Sequence, residues 1–142
     1  MRPFTLILAF CTSTLLYVQE GGEKSINFRF VCGGGAVTSA SISGCQSLLA
    51  SKSYVLLRRK LFSDNLEEAI LATIALKELE KQHALTLSAE EQIQISRIEN
   101  SDSSYSLCYT CTQRYEGTVK RMFKRRFDAA YYLIKFAIFK TE

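Results

Sequence analysis

The strongest constraint on the fold is a stretch of helical periodicity that is apolar over most of its circumference. It follows Ser63–Asn65, a cluster typical of a helix start, and Glu67-Glu68 lie in the first turn, where they complement the helix dipole. Apolar and small side chains then continue until charges return at Lys77-Glu78. A helix of this composition is buried over a wide arc. We therefore predict a buried helix over residues 66–82.

The apolar opening of the chain is a second constraint, and two interpretations of it stay open. Residues 4–18 are mostly apolar and follow Arg2, which is the shape of a signal-peptide core, although no clear small-residue cleavage site follows. The run is short for a membrane span, which needs ~20 apolar residues. Thr12–Thr14 divides it into Phe4–Phe10 and Leu15–Gln19, two runs of strand length that suit a sheet covered on both faces.

The next part of the chain predicts one more strand and one more helix. The stretch Ile26–Cys32 alternates between apolar and polar side chains, as a half-buried strand does, and a triple glycine follows it. Residues 38–61 then follow a helical pattern, with Ser39 and Ser41 available as N-caps.

The segment after the central helix fits two patterns. Ser88–Glu91 matches a capping box that would open a third helix. Against this, residues 92–98 and 105–111 both alternate, and the turn-rich segment 100–104 separates them. We therefore favour a hairpin of two strands. The resulting order of strands, two helices, two strands and a final helix predicts a layered α+β sandwich of antiparallel strands.

The cysteines do not predict a disulfide framework, because they are odd in number and widely spaced. The one CxxC sequence, Cys108–Cys111, lies in an alternating stretch, where residues i and i+3 point to opposite faces. A four-ligand zinc site would need the fold to bring the single histidine, His83, or a further cysteine next to this pair, and no sequence spacing indicates that. We expect free buried thiols in a reducing compartment. The cysteines are Cys11, Cys32, Cys45, Cys108 and Cys111.

No arrangement of side chains in the sequence predicts catalysis. Glu67-Glu68 and Glu90-Glu91 are neighbours that point apart, so we expect solvated charges and not acid–base pairs. His83 lies near a predicted helix end, where a cation is favourable. The triple glycine Gly33–Gly35 lacks the Lys-Ser/Thr pair of a phosphate-binding loop. We predict no catalytic residues, no cofactor-binding residues, no cofactor and no metal site.

The positive charge is concentrated at the carboxyl end of the chain. The formal net charge is +4, and residues 120–142 hold seven Lys or Arg against two acids. An apolar stripe runs from Val119 to Ile138 at helical spacing, which predicts a basic amphipathic helix. Such a helix packs with its charges in water, lies on an anionic membrane through Lys120–Phe139, or contacts nucleic acid. A nucleic-acid partner is not expected.

Several motifs, in their order and spacing, resemble the carboxyl-terminal half of proteasome alpha-type subunits. Arg2–Phe4 before an apolar strand is similar to the family's entry to a central strand. The stretch Gly33–Leu49 resembles its turn and first helix, and Gln46-Ser47 within it is nearest to the fifth alpha type. Asp64–Leu79 resembles the following helix, and Leu87–Ser96 resembles the strand after that.

The resemblance continues to about residue 122 and implies a fold. Tyr105–Thr110 is similar to the family's last strand, and Gln113–Met122 is similar to its closing helix. The resemblance implies a partial Ntn-hydrolase-like sandwich over residues 1–122, with antiparallel strands and two central helices packed on the sheet. It also implies that the apolar opening is a buried strand. Residues 123–142 would form an additional helical extension.

The resemblance further implies a function. Because alpha-type subunits are structural, we expect a non-catalytic subunit of the proteasome core particle, or a truncated relative of one. It would act in intracellular protein degradation in the cytoplasm and nucleus, with other alpha and beta subunits as partners. Catalytic beta-type subunits use a threonine freed at a Gly-Thr bond, and cleavage at Gly117-Thr118 would leave only the tail. The alternative is a small secreted or membrane-associated protein with residues 1–18 as its signal or anchor.

Overall fold

The computed structural model describes residues 25–29, 39–108, 113–125 and 128–139. This part of the chain is an α+β structure of six helices and a three-stranded sheet, so the predicted class is confirmed. The predicted strands Phe4–Phe10 and Leu15–Gln19 lie outside the described residues. The elements are β1 (Ile26–Arg29), α1 (Ala40–Ala50), α2 (Tyr54–Leu61), α3 (Leu66–Lys81), α4 (Ala89–Glu99), β2 (Ser104–Cys108), β3 (Arg114–Thr118), α5 (Val119–Lys124) and α6 (Ala129–Phe139).

Helix α3 is the central element, as its apolar periodicity predicts. The side-chain oxygen of Asn65 accepts a hydrogen bond from the Glu67 backbone N–H at 3.0 Å and caps the helix. Eight consecutive side chains from Ala69 to Leu76 are buried, because α3 packs against α1, α2, α4, α6 and β1. The hydroxyl of Thr73, the polar side chain in this run, donates to the Ala69 carbonyl at 2.8 Å.

The single helix predicted for residues 38–61 is wrong, because two helices occupy this segment. Ser39 caps α1 as predicted, accepting from the Ile42 N–H. Lys52 has a φ of 53°, in the left-handed region, and Ser53 donates its N–H to the Leu48 carbonyl at 2.9 Å. With the bond from the Lys52 N–H to the Leu49 carbonyl at 3.1 Å, it forms a Schellman motif that ends α1, and α2 begins at Tyr54.

The sheet has the order β1-β2-β3, with β1 parallel to β2 and β2 antiparallel to β3. The expectation of purely antiparallel strands is therefore wrong for the first pair. The parallel pair is possible because α1 to α4 lie between its strands and supply the long crossover that such a pair requires. Ile26 and Phe28 are buried on one face and Asn27 is exposed on the other, which confirms the predicted alternation over the described strand.

Residues 92–98, predicted as a strand, lie within helix α4. The capping box of Ser88 and Glu91 is formed in both directions: the Ser88 N–H donates to the Glu91 carboxylate at 2.7 Å, and Ser88 Oγ accepts from the Glu91 N–H at 3.2 Å. The buried side chains of α4 are Glu91, Ile95 and Ile98, which is helical spacing. The predicted hairpin of residues 92–98 with 105–111 is therefore wrong.

Strand β2 instead forms its hairpin with β3. The resemblance implies a helix over Gln113–Met122, but residues 114–118 are a strand, in which Tyr115 and Gly117 lie opposite Leu107 and Tyr105 of β2. A helix begins at Val119, where the Thr118 side chain accepts from the Arg121 N–H. The strand forms because it completes the apolar face of the sheet.

The predicted carboxyl-terminal helix is two helices, α5 and α6, that pack on the body of the molecule. Asp128 caps α6, its carboxylate accepting from the Ala130 N–H at 3.0 Å. Helix α5 contacts α4 and β3, whereas α6 contacts α1 and α3. Most of the described residues of the predicted apolar stripe thus lie in the core and not on a free surface. Its fully or almost fully buried members are Val119, Met122, Ala130, Ile134 and Ile138.

Two substitutions in α4 distinguish the helix from the predicted strand. In a strand Ile93 and Ile95 would share one face, but here Ile93 is 56% exposed and Ile95 is 6% exposed. We expect Ile95→Ala to lower the free energy of unfolding by about 2–4 kcal/mol and Ile93→Ala by less than about 0.5 kcal/mol. Urea denaturation measures both. Equal losses for the two variants would contradict the helix.

Candidate functional site

A cleft opens between α1 on one side and α2 and α3 on the other, with a volume of about 290 Å³. Its walls are mostly apolar, and the residues from α1, other than Leu48, are small. One of them, Gly44, lies in the middle of the helix, where glycine costs about 0.5–1 kcal/mol relative to alanine. A Cβ atom there would meet nothing within 4 Å, so no neighbouring atom excludes an alanine at this position. The lining residues used below are Gly44, Ser47, Leu48, Leu57, Lys60, Glu68, Leu71 and Ala72.

The polar part of the cleft is an ion pair between α2 and α3. The Lys60 ammonium lies 2.7 Å from Oε1 of Glu68, and the Ser63 hydroxyl donates to Oε2 at 2.8 Å. These hydrogen bonds, that of Lys60 foremost, lower the pKa of Glu68. Both carboxylate oxygens of Glu68 are thus engaged, while the Lys60 side chain is 47% exposed.

Glu67 is held separately at the start of α1. The Ser39 hydroxyl donates to Oε1 of Glu67 at 2.8 Å and so ties the N-cap of α1 to the first turn of α3. Burial raises the pKa of Glu67, and the hydrogen bonds from Ser39 and Ser41 oppose that shift in part. The expectation of a fully solvated Glu67-Glu68 pair is therefore wrong, because both side chains are partly buried and hydrogen-bonded.

Cys45 lies in the wall of the cleft. Its thiol is free and buried, as predicted, and burial raises its pKa to about 12. A thiol in this state stays protonated near neutral pH, and the thiolate is the reactive form. Cys108, in contrast, is disulfide-bonded, so the expectation of free thiols throughout is wrong.

An ion pair with a buried carboxylate joins α2 to α4 away from the cleft. Nη1 of Arg58 lies 2.6 Å from each carboxylate oxygen of Glu91, and Nη2 donates to the Thr86 carbonyl at 2.8 Å. Burial alone would raise the pKa of Glu91, but the bonds from the Ser88 N–H and from Arg58 outweigh it and lower that pKa. Glu91 is only 6% exposed, so its predicted solvation is also wrong.

The remaining described residues considered for catalysis have structural positions, and Gly33–Gly35 lies outside the described residues. His83 has a φ of 58° just after α3, and Ala84 donates its N–H to the Leu79 carbonyl at 2.9 Å, which is a second Schellman motif. Gly117 lies in β3, and Thr118 caps α5. The structure brings none of these residues together with the cleft.

The cleft is thus a space with mostly apolar walls and one ion pair, Lys60 with Glu68, at its polar part. Within the described ranges, no group of three His, Cys, Asp or Glu side chains could hold a metal ion. The sequence did not indicate the cleft, because its walls come from three helices. The small residues Gly44 and Ser47, spaced on one face of α1, were the available signal.

Comparisons with known proteins identify no relative: no family model, no curated protein and no solved structure matches the chain. Among the helices that the structure describes, none combines the length and the apolar character needed to cross a bilayer.

The depressed pKa of Glu91 makes the stability of the fold depend on pH. A carboxylate whose pKa is lower in the folded state stabilises above its unfolded pKa, near 4.5, and this stabilisation is lost as the pH falls through the folded value. We expect Glu91→Gln to lower the free energy of unfolding by about 1–3 kcal/mol at pH 7. The variant should lose less stability than the wild type between pH 5 and about pH 3.

Urea denaturation across this pH range measures the effect, and Glu90→Gln is the matched control because Glu90 is exposed beside Glu91. If the wild type and Glu91→Gln lose the same free energy of unfolding between pH 5 and about pH 3, the ionised Glu91 carboxylate does not contribute to the pH dependence of stability.

Proposed function

We propose that this chain is a non-catalytic subunit, or a truncated relative of one, in the proteasome core particle. It acts in intracellular protein degradation, in the cytoplasm and nucleus, through contacts with alpha- and beta-type subunits. The observation that carries the proposal is the packing of its helices. The α1–α2 segment and α3 follow β1, lie side by side, and α3 contacts β1. The resemblance of the sequence to alpha-type subunits implies two central helices on a sheet.

The proposed fold is a partial and diverged Ntn-hydrolase-like sandwich. Helix α4 stands where the resemblance implies a strand, and β3 stands where it implies the start of a helix. Two earlier differences are the division of the first implied helix into α1 and α2 and the parallel pairing of β1 with β2. A strand followed by helices, from β1 to α3, is the part of the implied order that remains.

The surface offers apolar side chains for subunit contacts. Val55, Leu56 and Phe62 are exposed on or next to α2, and Tyr132 and Phe136 are exposed on α6. Large exposed apolar side chains that lie on one helix face are a feature of protein–protein contact surfaces. They support a role in assembly, and we propose no enzymatic activity.

A second candidate function is favoured by the disulfide of Cys108. Disulfides persist in oxidising compartments and are rare in the cytosol. This observation supports a small secreted or membrane-associated protein, with residues 1–18 as a cleaved signal or an anchor. Membrane contact through Lys120–Phe139 would then use the exposed face of α6, because the apolar stripe of that segment is buried.

One experiment separates the two candidates. The chain with a carboxyl-terminal tag is expressed in cells, extracts are sedimented, and the mass of its amino-terminal peptide is determined. The first proposal predicts an intact Met1 or Arg2 terminus and co-sedimentation with core-particle subunits. It also predicts that Phe62→Ser weakens this co-sedimentation while Gln92→Ser, a change at an exposed polar position, does not.

The other outcomes decide against the first proposal. A tagged chain that never sediments with proteasome subunits ends it. A terminus cleaved near residue 18, together with recovery from the medium, establishes the secretory alternative.

A further inference from the structure

The outer side of α2 exposes large apolar side chains. Val55 is 66% exposed, and Leu56 and Phe62 are each 46% exposed. The inner side of the same helix, with Leu57 and Leu61, is almost completely buried. The three exposed side chains therefore add nothing to the core of the molecule. Adjacent exposed apolar side chains, unlike single ones, mark contact surfaces.

Arg59 lies in the middle of these apolar side chains. Val55 and Leu56 precede it by four and three residues, and Phe62 follows it by three. Residues three and four positions apart on a helix are neighbours on one face. Arg59 is itself exposed. We call the surface formed by Val55, Leu56, Arg59 and Phe62 the outer α2 face.

The positive charge of Arg59 is not paired within the described part of the molecule. The two carboxylates that bind the other cations of α2 are already engaged, Glu91 by Arg58 and Glu68 by Lys60. Helix α2 itself contains no acidic residue. Among the described residues, no side chain forms an ion pair or a hydrogen bond with the Arg59 guanidinium. A molecule that covers the outer α2 face must therefore bring its own anion, because an unpaired buried charge is costly.

The central position of Arg59 favours a protein as that molecule. At the centre of protein interfaces, Arg and aromatic side chains contribute much of the binding free energy, and Arg binds a carboxylate through two parallel hydrogen bonds. A helix that lies on a membrane instead keeps its cations on a polar face, apart from the apolar one. A second copy related by two-fold symmetry would place this face against itself and bring two Arg59 side chains together, where like charges repel.

We propose that the outer α2 face binds an acidic segment of a partner protein, in which an Asp or Glu side chain lies among apolar side chains. The carboxylate binds the Arg59 guanidinium, and the apolar side chains of the segment pack on Val55, Leu56 and Phe62. This inference deepens the proposed function and rests on it only for the expectation that the partner is a core-particle subunit. The acidic chemistry of the partner follows from the outer α2 face alone.

Photo-cross-linking in cells identifies the segment. The tagged chain carries p-benzoylphenylalanine in place of Leu56 or, as the matched control, in place of Ile93, which is exposed on α4. After irradiation, mass spectrometry gives the sequence of the cross-linked peptide. We expect position 56, and not position 93, to cross-link to a segment of another protein in which an Asp or Glu lies between large apolar residues.

A double-mutant cycle with a synthetic peptide of that segment tests the ion pair. Titration calorimetry compares this peptide with a version in which the acid is replaced by its amide. The wild type should bind the acidic peptide at least about tenfold more tightly, because the amide leaves the Arg59 charge unpaired. The preference should vanish for Arg59→Gln and persist for Arg97→Gln, the same change at an exposed position of α4.

The contrary outcomes are equally clear. A cross-link from position 56 to residues 1–24 of the same chain, to lipid, to a second copy or to a segment without an acid would overturn the proposal. So would a yield no higher than that of position 93, or an acid preference that Arg59→Gln retains. Co-sedimentation with core-particle subunits in any of these cases leaves the proposed function intact. An acidic segment from a protein outside the core particle supports this inference and contradicts the proposed function.

Discussion

Burial of helix α3 on nearly all sides is the constraint on which the rest of this structure depends. Its eight consecutive buried side chains are covered by α1 and α2, by α4 and α6, and by β1 of the sheet. Each fully buried Leu or Ile contributes about 1.5–3 kcal/mol of transfer free energy. Because α3 has so little exposed surface, the elements around it have few alternative arrangements. The cleft lies where α1 and α2, separated by the Schellman motif, both pack on α3.

Charged side chains link the outer elements to one another and to this core. Lys77 of α3 pairs with Glu99 of α4, and Lys135 of α6 lies 2.7 Å from Glu78 of α3. Partly exposed pairs of this kind contribute little free energy. The pair of Arg58 and Glu91 differs, because the carboxylate is buried and a missing partner would leave an uncompensated charge. It therefore fixes how α2 and α4 meet.

The parts of the fold that followed from the sequence are those set by local periodicity. The apolar run of α3, its cap and the alternation of Ile26 and Phe28 carry their own signals, and the structure agrees with them. The sequence of α4 carried two signals, because Ile93 and Ile95 alternate like a strand while the capping box of Ser88 indicates a helix. The helix forms because its cap is complete and its helical face is buried on neighbouring elements.

The remaining features depend on contacts between residues far apart in sequence. Strand β3 exists because Tyr115 and Gly117 complete the apolar face that β1 and β2 begin. The local sequence of residues 114–118 does not show this pairing with a distant strand. The buried state of Glu91 depends on Arg58, 33 residues earlier. The cleft likewise requires the positions of three helices. Its lining residues, among them Gly44 and Lys60, have no shared sequence motif.

Native-state hydrogen exchange tests the central role of α3 most directly. If the other elements pack around this helix, the amides of residues 70–76 open only when the whole molecule unfolds. Their exchange free energy should then equal the free energy of unfolding from urea denaturation and fall with urea at the same slope. Exchange of these amides through a local opening, at a lower free energy than the amides of β2 or α6, would contradict this description of the fold.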